Sequence, residues 1–370
     1  MLTPYGEFEL HRYPARRAEP LKAWCAADSL LLDEAHARGI AGSDILAVND
    51  EHGALCVALE PRALWTDSAL SEHAALRNLQ RNGRASVPVI WSTSAPACAP
   101  ALVVIRVPRQ LSYFEYQLAT LARSLPAGAT VLAAGMDKHL SPRTAQLLEQ
   151  HIGPTERHRG QRKARLFSAT RDLRAGPAVT PTDSYFCEPL AARLQGFPTV
   201  FSRERLDIGS RFLLQQLPGL APAGLLVDLA CGNGVLGLAA LQQALAARVL
   251  FCDESAMAIA SARLNADTLF PGRAGDIAFH HGDGLLEFTG EAADLILCNP
   301  PFHLNHAVDE FAGRHLLAQC SPRLRSGGRL CLVANRHLDY RATLRRGFAR
   351  VEKLAQDSKF IVWLAQKSQS

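Results

Sequence analysis

The sequence predicts two tandem doubly wound α/β domains, the first a degenerate copy of the second, and three observations lead there. The chain has 370 residues, more than one ordinary core of roughly 150–200 residues accounts for. In its second half, short apolar strand candidates alternate with helical patterns, the order that builds a parallel sheet with helices on both faces. Two stretches of the first half repeat stretches of the second.

The elements follow in chain order. In the first half, residues 45–48, 53–59, 102–107 and 130–134 are strand candidates. Residues 174–184, Arg-Ala-Gly-Pro-Ala-Val-Thr-Pro-Thr-Asp-Ser, are rich in turn formers and read as the junction. The expected division is a first domain over 1–175, a linker over 176–184 and a second domain over 185–370. An amphipathic helix over 203–217 precedes strands at 225–229, 248–252, 277–281, 295–298 and 330–333, with helices at 236–245, 255–265 and 308–323. Residues 128–135 align with 328–335 at an offset of 200, and 102–108 with 295–301 at an offset of 193. In the second alignment Arg106 and Val107 stand where Asn299 and Pro300 do, and the strand candidate at 45–48 leads to no Gly-x-Gly. A duplicated domain without such a loop is expected to bind substrate or serve as a scaffold.

Composition narrows the class. Hydrophobic residues make up 48% and charged residues 20%, with no run of the ~18 apolar residues that a membrane span needs. The N-terminus shows no basic and apolar leader pattern. Nine cysteines stand singly, several inside strand-like runs such as Leu250-Phe251-Cys252. Cysteines used as small hydrophobes suit a reducing cytoplasm. Net charge is +5, and seven basic residues lie between Arg157 and Arg174 against one acid, Asp172. That stretch is either a solvated surface or a phosphate-contacting patch, with Arg159, Arg162, Lys163 and Arg165 as the contacts.

Two motifs carry chemistry. In Leu225-Leu-Val-Asp228-Leu-Ala-Cys-Gly232-Asn233-Gly234-Val-Leu-Gly237, a strand ends in an acid and glycines bring the backbone close beneath a ligand before a helix begins. Gly232, Gly234 and Gly237 also satisfy the Rossmann-like dinucleotide pattern Gly-x-Gly-x-x-Gly. Asp253, at the end of the next strand, suits a ribose acceptor in either case, so a nicotinamide dehydrogenase stands beside an S-adenosylmethionine enzyme. Asp228 weighs against the dinucleotide, because its carboxylate would repel a pyrophosphate and attract the cationic amino-acid end of S-adenosyl-L-methionine.

The second motif, Asp294-Leu-Ile-Leu-Cys-Asn299-Pro300-Pro301-Phe302, decides between them. It follows the fourth strand, at the carboxyl edge where such sheets bind ligands. A base's exocyclic amine is a poor nucleophile because its lone pair is delocalised into the ring. The Asn299 amide oxygen and the Pro300 carbonyl can accept both N–H bonds, aim the nitrogen and favour the positive charge that develops on it. Phe302 offers a ring for base stacking. The plain alternative, a Pro-Pro turn with Phe302 in the core, loses ground once the motif sits beside Asp228, the glycine loop and Asp253. Asp283 in His280-His-Gly-Asp283-Gly284 suits a reader of the cofactor's adenine amine or an ordinary Asp-Gly turn. His303, His306 and His315 lack a carboxylate or cysteine partner at ligand spacing, so no metal is expected.

Asn299-Pro-Pro-Phe-His303 resembles the signature of ribosomal RNA guanine-N2 methyltransferases. Phe201-Ser-Arg-Glu-Arg-Leu-Asp207-Ile-Gly209-Ser210 and Val333-Ala-Asn-Arg-His-Leu-Asp-Tyr340 resemble the large-subunit (23S) branch of the RlmG/RsmC family, with the small-subunit (16S) branch close behind. The likeness extends to Gln110-Leu-Ser-Tyr-Phe-Glu-Tyr-Gln-Leu-Ala119 and Lys163-Ala-Arg-Leu166. It implies two methyltransferase domains, the first catalytically dead, ribosomal RNA as partner and S-adenosyl-L-methionine as cofactor. It implies cofactor contacts at Gly209, Ser210, Asp228, Gly232, Asn233, Gly234, Asp253 and Asp283, and base handling by Asn299, Pro300 and Phe302. Ala230 departs from the family's glycine, and its methyl group would crowd the methionine end. Adenine-N6 and protein-glutamine methylation share the Asn-Pro-Pro chemistry, the latter with Tyr where Phe302 stands. A silent RNA-binding or assembly factor is the alternative of another class.

Overall fold

Apolar runs with no polar face, such as Ile45-Leu-Ala-Val48 and Leu225-Leu-Val, form strands buried on both sides, as parallel sheets between two helical layers require. The structure, a computed structural model, describes the chain except Arg17, residues 302–306, Asp339 and Ser370, and it describes residues 307–310 by backbone alone. Contacts divide the chain into Met1–Pro181 and Thr182–Ser370. Residues 183 and 184 already belong to the hairpin Asp183–Cys187 with Ala192–Gly196 that opens the second unit.

In the first unit the sheet comprises β1 (Ile45–Val48), β2 (Ala63–Thr66), β3 (Val89–Trp91), β4 (Leu102–Arg106), β5 (Thr130–Met136), β6 (Thr155–Arg157) and β7 (Ala164–Thr170). Its order is β3-β2-β1-β4-β5-β7-β6, and β7 alone is antiparallel to the rest. Helices α1 (Ala26–Arg38), α2 (Ala54–Leu59) and α3 (Ala69–Arg81) pack on one face through Leu31, Leu55 and Leu79. On the other face, α4 (Leu111–Ser124) and α5 (Thr144–His151) pack through Phe114 and Leu148.

The second unit repeats this plan element for element. Its strands are β8 (Ala223–Leu229), β9 (Ala246–Asp253), β10 (Ile277–His281), β11 (Ala293–Cys298), β12 (Leu324–Asn335), β13 (Arg350–Gln356) and β14 (Phe360–Gln366). They lie in the order β10-β9-β8-β11-β12-β14-β13. Helices α6 (Ile208–Leu214), α7 (Val235–Gln242) and α8 (Ala256–Leu269) cover one face, and α9 (Ala307–Arg323) and α10 (Arg341–Leu344) the other.

Three expectations are corrected. Residues 53–59 form α2 rather than a strand. All six residues of the Ala-Leu-Cys-Val-Ala-Leu run are buried, so periodicity is silent there. The Asp50 carboxylate instead receives the Cys56 N–H of the first turn at 2.8 Å and anchors a helix. The helix expected over 203–217 covers only Ile208–Leu214; the Asp207 side chain sets its start by accepting the Ser210 N–H. The repeat at 128–135 is out by one residue. Leu102 pairs with Thr130 as Leu295 pairs with Arg329, an offset of 199. The offset of 200 would match Leu132, which faces the α1–α3 core, with Leu332, which faces the α9–α10 core. A one-residue slip reverses a strand's faces.

Candidate functional site

At the carboxyl edge of the second sheet, Leu229 pairs with both Cys252 and Cys298, and Asp253 pairs with His281. The loops after β8, β9, β10 and β11 therefore emerge side by side. The chain leaves β8 toward β9 on one side and returns as β11 on the other, the switch point where such sheets bind ligands. Ala230 and Asn299 continue the paired ends of β8 and β11, strands about 4.8 Å apart.

Two glycines of the first motif do different jobs. A Cβ on Gly232 would meet nothing nearer than Val200 Cγ1 at 4.0 Å, with φ at +55°, so the backbone borders open space. A Cβ on Gly237 would stand 2.5 Å from the Phe251 ring, so this glycine lets α7 lie against the sheet. Gly234 caps α7 in the left-handed region. Ala230 also has a positive φ, 58°, which costs a residue with a Cβ roughly 1–2 kcal/mol.

The three acids are positioned differently. Asp228 is fully buried, and one carboxylate oxygen accepts the Gly237 N–H at 2.8 Å. Its other oxygen has no hydrogen-bond partner among the described residues. Burial, opposed by that N–H and aided by the nearby charge of Asp253, pushes this carboxyl up to about 8. Asp253 ties the loop to its strand: its oxygens accept the N–H groups of Gly232 at 2.9 Å and Ser255 at 3.0 Å. Asp283 is buried, with both oxygens 2.9 Å from His315 Nε2 on α9.

Asn299 is held by residues from before β8. Its Nδ2 donates to Asp207 Oδ2 at 3.0 Å and to Ser210 Oγ at 2.8 Å. Since a carboxylate accepts and does not donate, these bonds fix which end of the amide points where. Oδ1 is left buried and, among the described residues, without a partner. A buried amide oxygen without a hydrogen bond costs about 1–3 kcal/mol, and an incoming N–H would satisfy it. A Cβ on Gly209 would lie 3.7 Å from this oxygen and 3.0 Å from the Asp207 carboxylate, so glycine there keeps the array compact. Pro300 is buried directly beyond Asn299.

The fit differs from residue to residue. Gly232, Asp253 and Asn299 converge at this edge. Ser210, expected at the cofactor, is engaged with Asn299 through its hydroxyl. Asn233 is buried and structural: its amide donates to the Tyr185 hydroxyl at 3.1 Å and accepts the Val235 N–H at 3.3 Å. Phe302, His303 and His306 lie outside the described residues. Asp207 was missed, although its position as an N-cap was available as a local signal. Among the described residues no cluster of three or more His, Cys, Asp or Glu is arranged for a metal ion, and no helix is long and apolar enough to cross a membrane.

The basic stretch of the first unit folds as the β6–β7 hairpin. Gln161 and Ala164 exchange both backbone hydrogen bonds, at 2.9 and 2.8 Å, around Arg162 at φ 51° and Lys163 at φ 61°. This two-residue turn ordinarily takes Asn-Gly, yet here it displays two long cationic side chains, both exposed. Arg159 is exposed beside them, while Arg165 pairs with Asp137 at 3.2 Å. Arg171 is buried and donates to the carbonyls of Ala122, Ile152 and Arg174, so it belongs to the fold.

Comparison with known proteins adds family information. The model of the RLMG N-terminal domain matches residues 1–173, and that of the methyltransferase small domain matches residues 191–364. Ribosomal RNA large subunit methyltransferase G of Alcanivorax borkumensis is 40% identical over 98% of this chain and 96% of its own length. The protein of that name from Ectopseudomonas mendocina is 40% identical over 99% of both. A T. thermophilus 16S rRNA N2 methyltransferase, RsmC, solved with AdoMet and guanosine, shares the fold at a TM-score of 0.77 and 22% identity, covering 99% of this chain and 97% of that one.

Proposed function

The chain belongs to the ribosomal RNA large subunit methyltransferase G family and is an S-adenosylmethionine-dependent methyltransferase; we propose that it methylates the exocyclic N2 amine of a guanine in 23S rRNA. The observation that carries the choice of an amine is the Asn299 amide, anchored through Nδ2 to Asp207 and Ser210 with Oδ1 buried and unpartnered.

The residues of the β8 edge fit the cofactor. The open space at Gly232 receives its backbone-facing part, and the Asp228 oxygen, unpartnered among the described residues, suits a hydrogen bond from its amino-acid end. Asp253 serves the ribose, and Asp283, shared with His315, serves the adenine edge. Gly234 shapes the loop. When bound, S-adenosylmethionine supplies an electrophilic methyl group. Asn299 Oδ1 and the Pro300 carbonyl accept the two amine N–H bonds, turn the nitrogen lone pair out of conjugation and stabilise the growing positive charge. Phe302 stacks on the base. Arg159, Arg162, Lys163 and Arg165 contact RNA phosphates from the first unit, in the cytoplasm. Mass spectrometry of 23S and 16S rRNA from cells with and without this chain tests the reading. The loss of one N2-methylguanine from 23S is expected, and its loss from 16S instead would reassign the substrate.

A further inference from the structure

The first unit keeps a pocket where the second has its cofactor loop. A cavity of about 220 Å³ lies at the carboxyl edge of the first sheet, against the turn Asp50-Glu51-His52 after β1 and Arg106 at the end of β4. The same edge that holds Asn299 and Ser210 in the second unit here holds an ion pair. Arg106 is bound to Asp28 at the third position of α1, as Asn299 is bound to Ser210 at the third position of α6. The pair occupies the amine-handling position, so the pocket beside it cannot do the chemistry of the second unit.

What remains is arranged for recognition. Trp24, half-buried, forms one wall with Arg12. His52 is more than nine-tenths buried, and among the described residues neither ring nitrogen has a hydrogen-bond partner; the Glu51 carboxylate stands off at 3.6 Å. Burial, against the pull of Glu51, holds this imidazole below its usual range and hence neutral. A neutral imidazole offers one donor and one acceptor, the two functions displayed by the edge of a nucleobase. Around the mouth the edge turns basic. The Asp137 N–H after β5 bonds the Lys163 carbonyl at 2.8 Å, which brings the hairpin tip to the side where β4 and β5 end. Arg109, Lys138, Arg162 and Lys163 are all exposed there. His139 on this edge is held below its usual range by partial burial and by Arg109, Lys138 and Arg106.

An aromatic wall, an uncommitted donor and acceptor and a cationic rim together match one ligand class, a nucleotide. We propose that this pocket is a second, non-catalytic nucleotide site that captures one unpaired nucleotide of the RNA, its base between Trp24 and His52 and its flanking phosphates on the hairpin tip. The source of that nucleotide rests on the reading of RNA as the substrate.

The test uses the full chain, a labelled 12-nucleotide single-stranded RNA and guanosine monophosphate as a free-nucleotide competitor. Trp24→Ala should weaken RNA binding about ten- to a hundredfold, as loss of one base–aromatic stack does, and Trp24→Phe should restore most of it. Affinity for S-adenosylmethionine should not move. In the unaltered chain, RNA carrying 4-thiouridine should crosslink to residues 21–28 or 49–52, a readout independent of how the variants fold. Unchanged RNA affinity in Trp24→Ala, or crosslinks confined to the second unit, would overturn the proposal. Competition by the mononucleotide as strong as by unlabelled RNA would overturn RNA as the occupant. A wild-type chain that bound and methylated rRNA while the pocket proved inert would leave the proposed function standing. One that did neither would remove that function instead.

Discussion

Replacing Asn299 by Ala separates catalysis from stability in a way the hydrogen bonds make quantitative. The substitution deletes the two Nδ2 bonds, to Asp207 at 3.0 Å and Ser210 at 2.8 Å. A bond to a charged acceptor contributes about 1.5–3 kcal/mol and a neutral one about 1 kcal/mol. It also deletes the buried, unpartnered Oδ1, relieving about 1–3 kcal/mol. Asp207 keeps the Ser210 N–H at 2.8 Å, so the helix cap survives. The loss exceeds the relief by about 1 kcal/mol, and the melting temperature should fall by no more than a few degrees. Transition-state stabilisation has no such compensation: losing a preorganised polar group at a reacting centre costs about 3–4 kcal/mol, roughly two to three orders of magnitude in rate. Single-turnover transfer of labelled methyl groups to rRNA measures the rate, and calorimetry the cofactor affinity, which should hold within a few fold. Asp207→Ala should slow transfer about tenfold in the wild-type background and not at all beside Asn299→Ala, because it acts through the amide. A near-wild-type rate for Asn299→Ala, or additive losses in the double variant, would refute the assignment.

Four other outcomes are expected. Asp253→Ala should weaken S-adenosylmethionine binding about ten- to a hundredfold by calorimetry; NADH binding tighter than S-adenosylmethionine would return the site to the dinucleotide reading. Ala230→Gly should stabilise the protein by about 1 kcal/mol in denaturant titration, because a residue at φ 58° sheds its Cβ strain, and a loss of stability would show that the methyl group is needed for packing. The Asp228 carboxyl stands at about 8 when folded against 3.8 ordinarily, so its contribution to stability is complete below pH 4 and is lost as pH rises through 8. Asp228→Asn should therefore flatten the fall in melting temperature between pH 4 and 8, and parallel curves would count against a buried, protonated Asp228. Neutralising Arg159, Arg162, Lys163 and Arg165 together should raise KM for RNA and flatten the salt dependence of binding by up to ~0.9 for each duplex phosphate that no longer meets a cation; an unchanged slope would place the phosphates elsewhere.

The parts of this protein legible in sequence are those whose physics is local. Asp228, Gly232, Gly234 and Asn299 could be placed at strand ends because each follows a continuous apolar run, and a parallel strand's carboxyl end is where its loop meets ligand. The glycines could be read because a backbone with positive φ, or pressed against Phe251, excludes a side chain. The repeated strand 102–106 was visible because apolar runs keep their order after the chemistry between them has disappeared.

Tertiary structure decided whatever depends on which strand lies beside which. Asp207 and Ser210 stand 92 and 89 residues before Asn299, and they meet it only because α6, which Asp207 caps, packs against β12, the strand beside β11. The same adjacency brings Asp28 to Arg106 across 78 residues and turns an amine-handling position into a plugged one. The run at 53–59 became a helix through one carboxylate, and the repeat at 128–135 took its register from ladder pairing. An apolar segment buried on every side carries no periodicity to say which form it takes or which residue it pairs with, and its neighbours supply both.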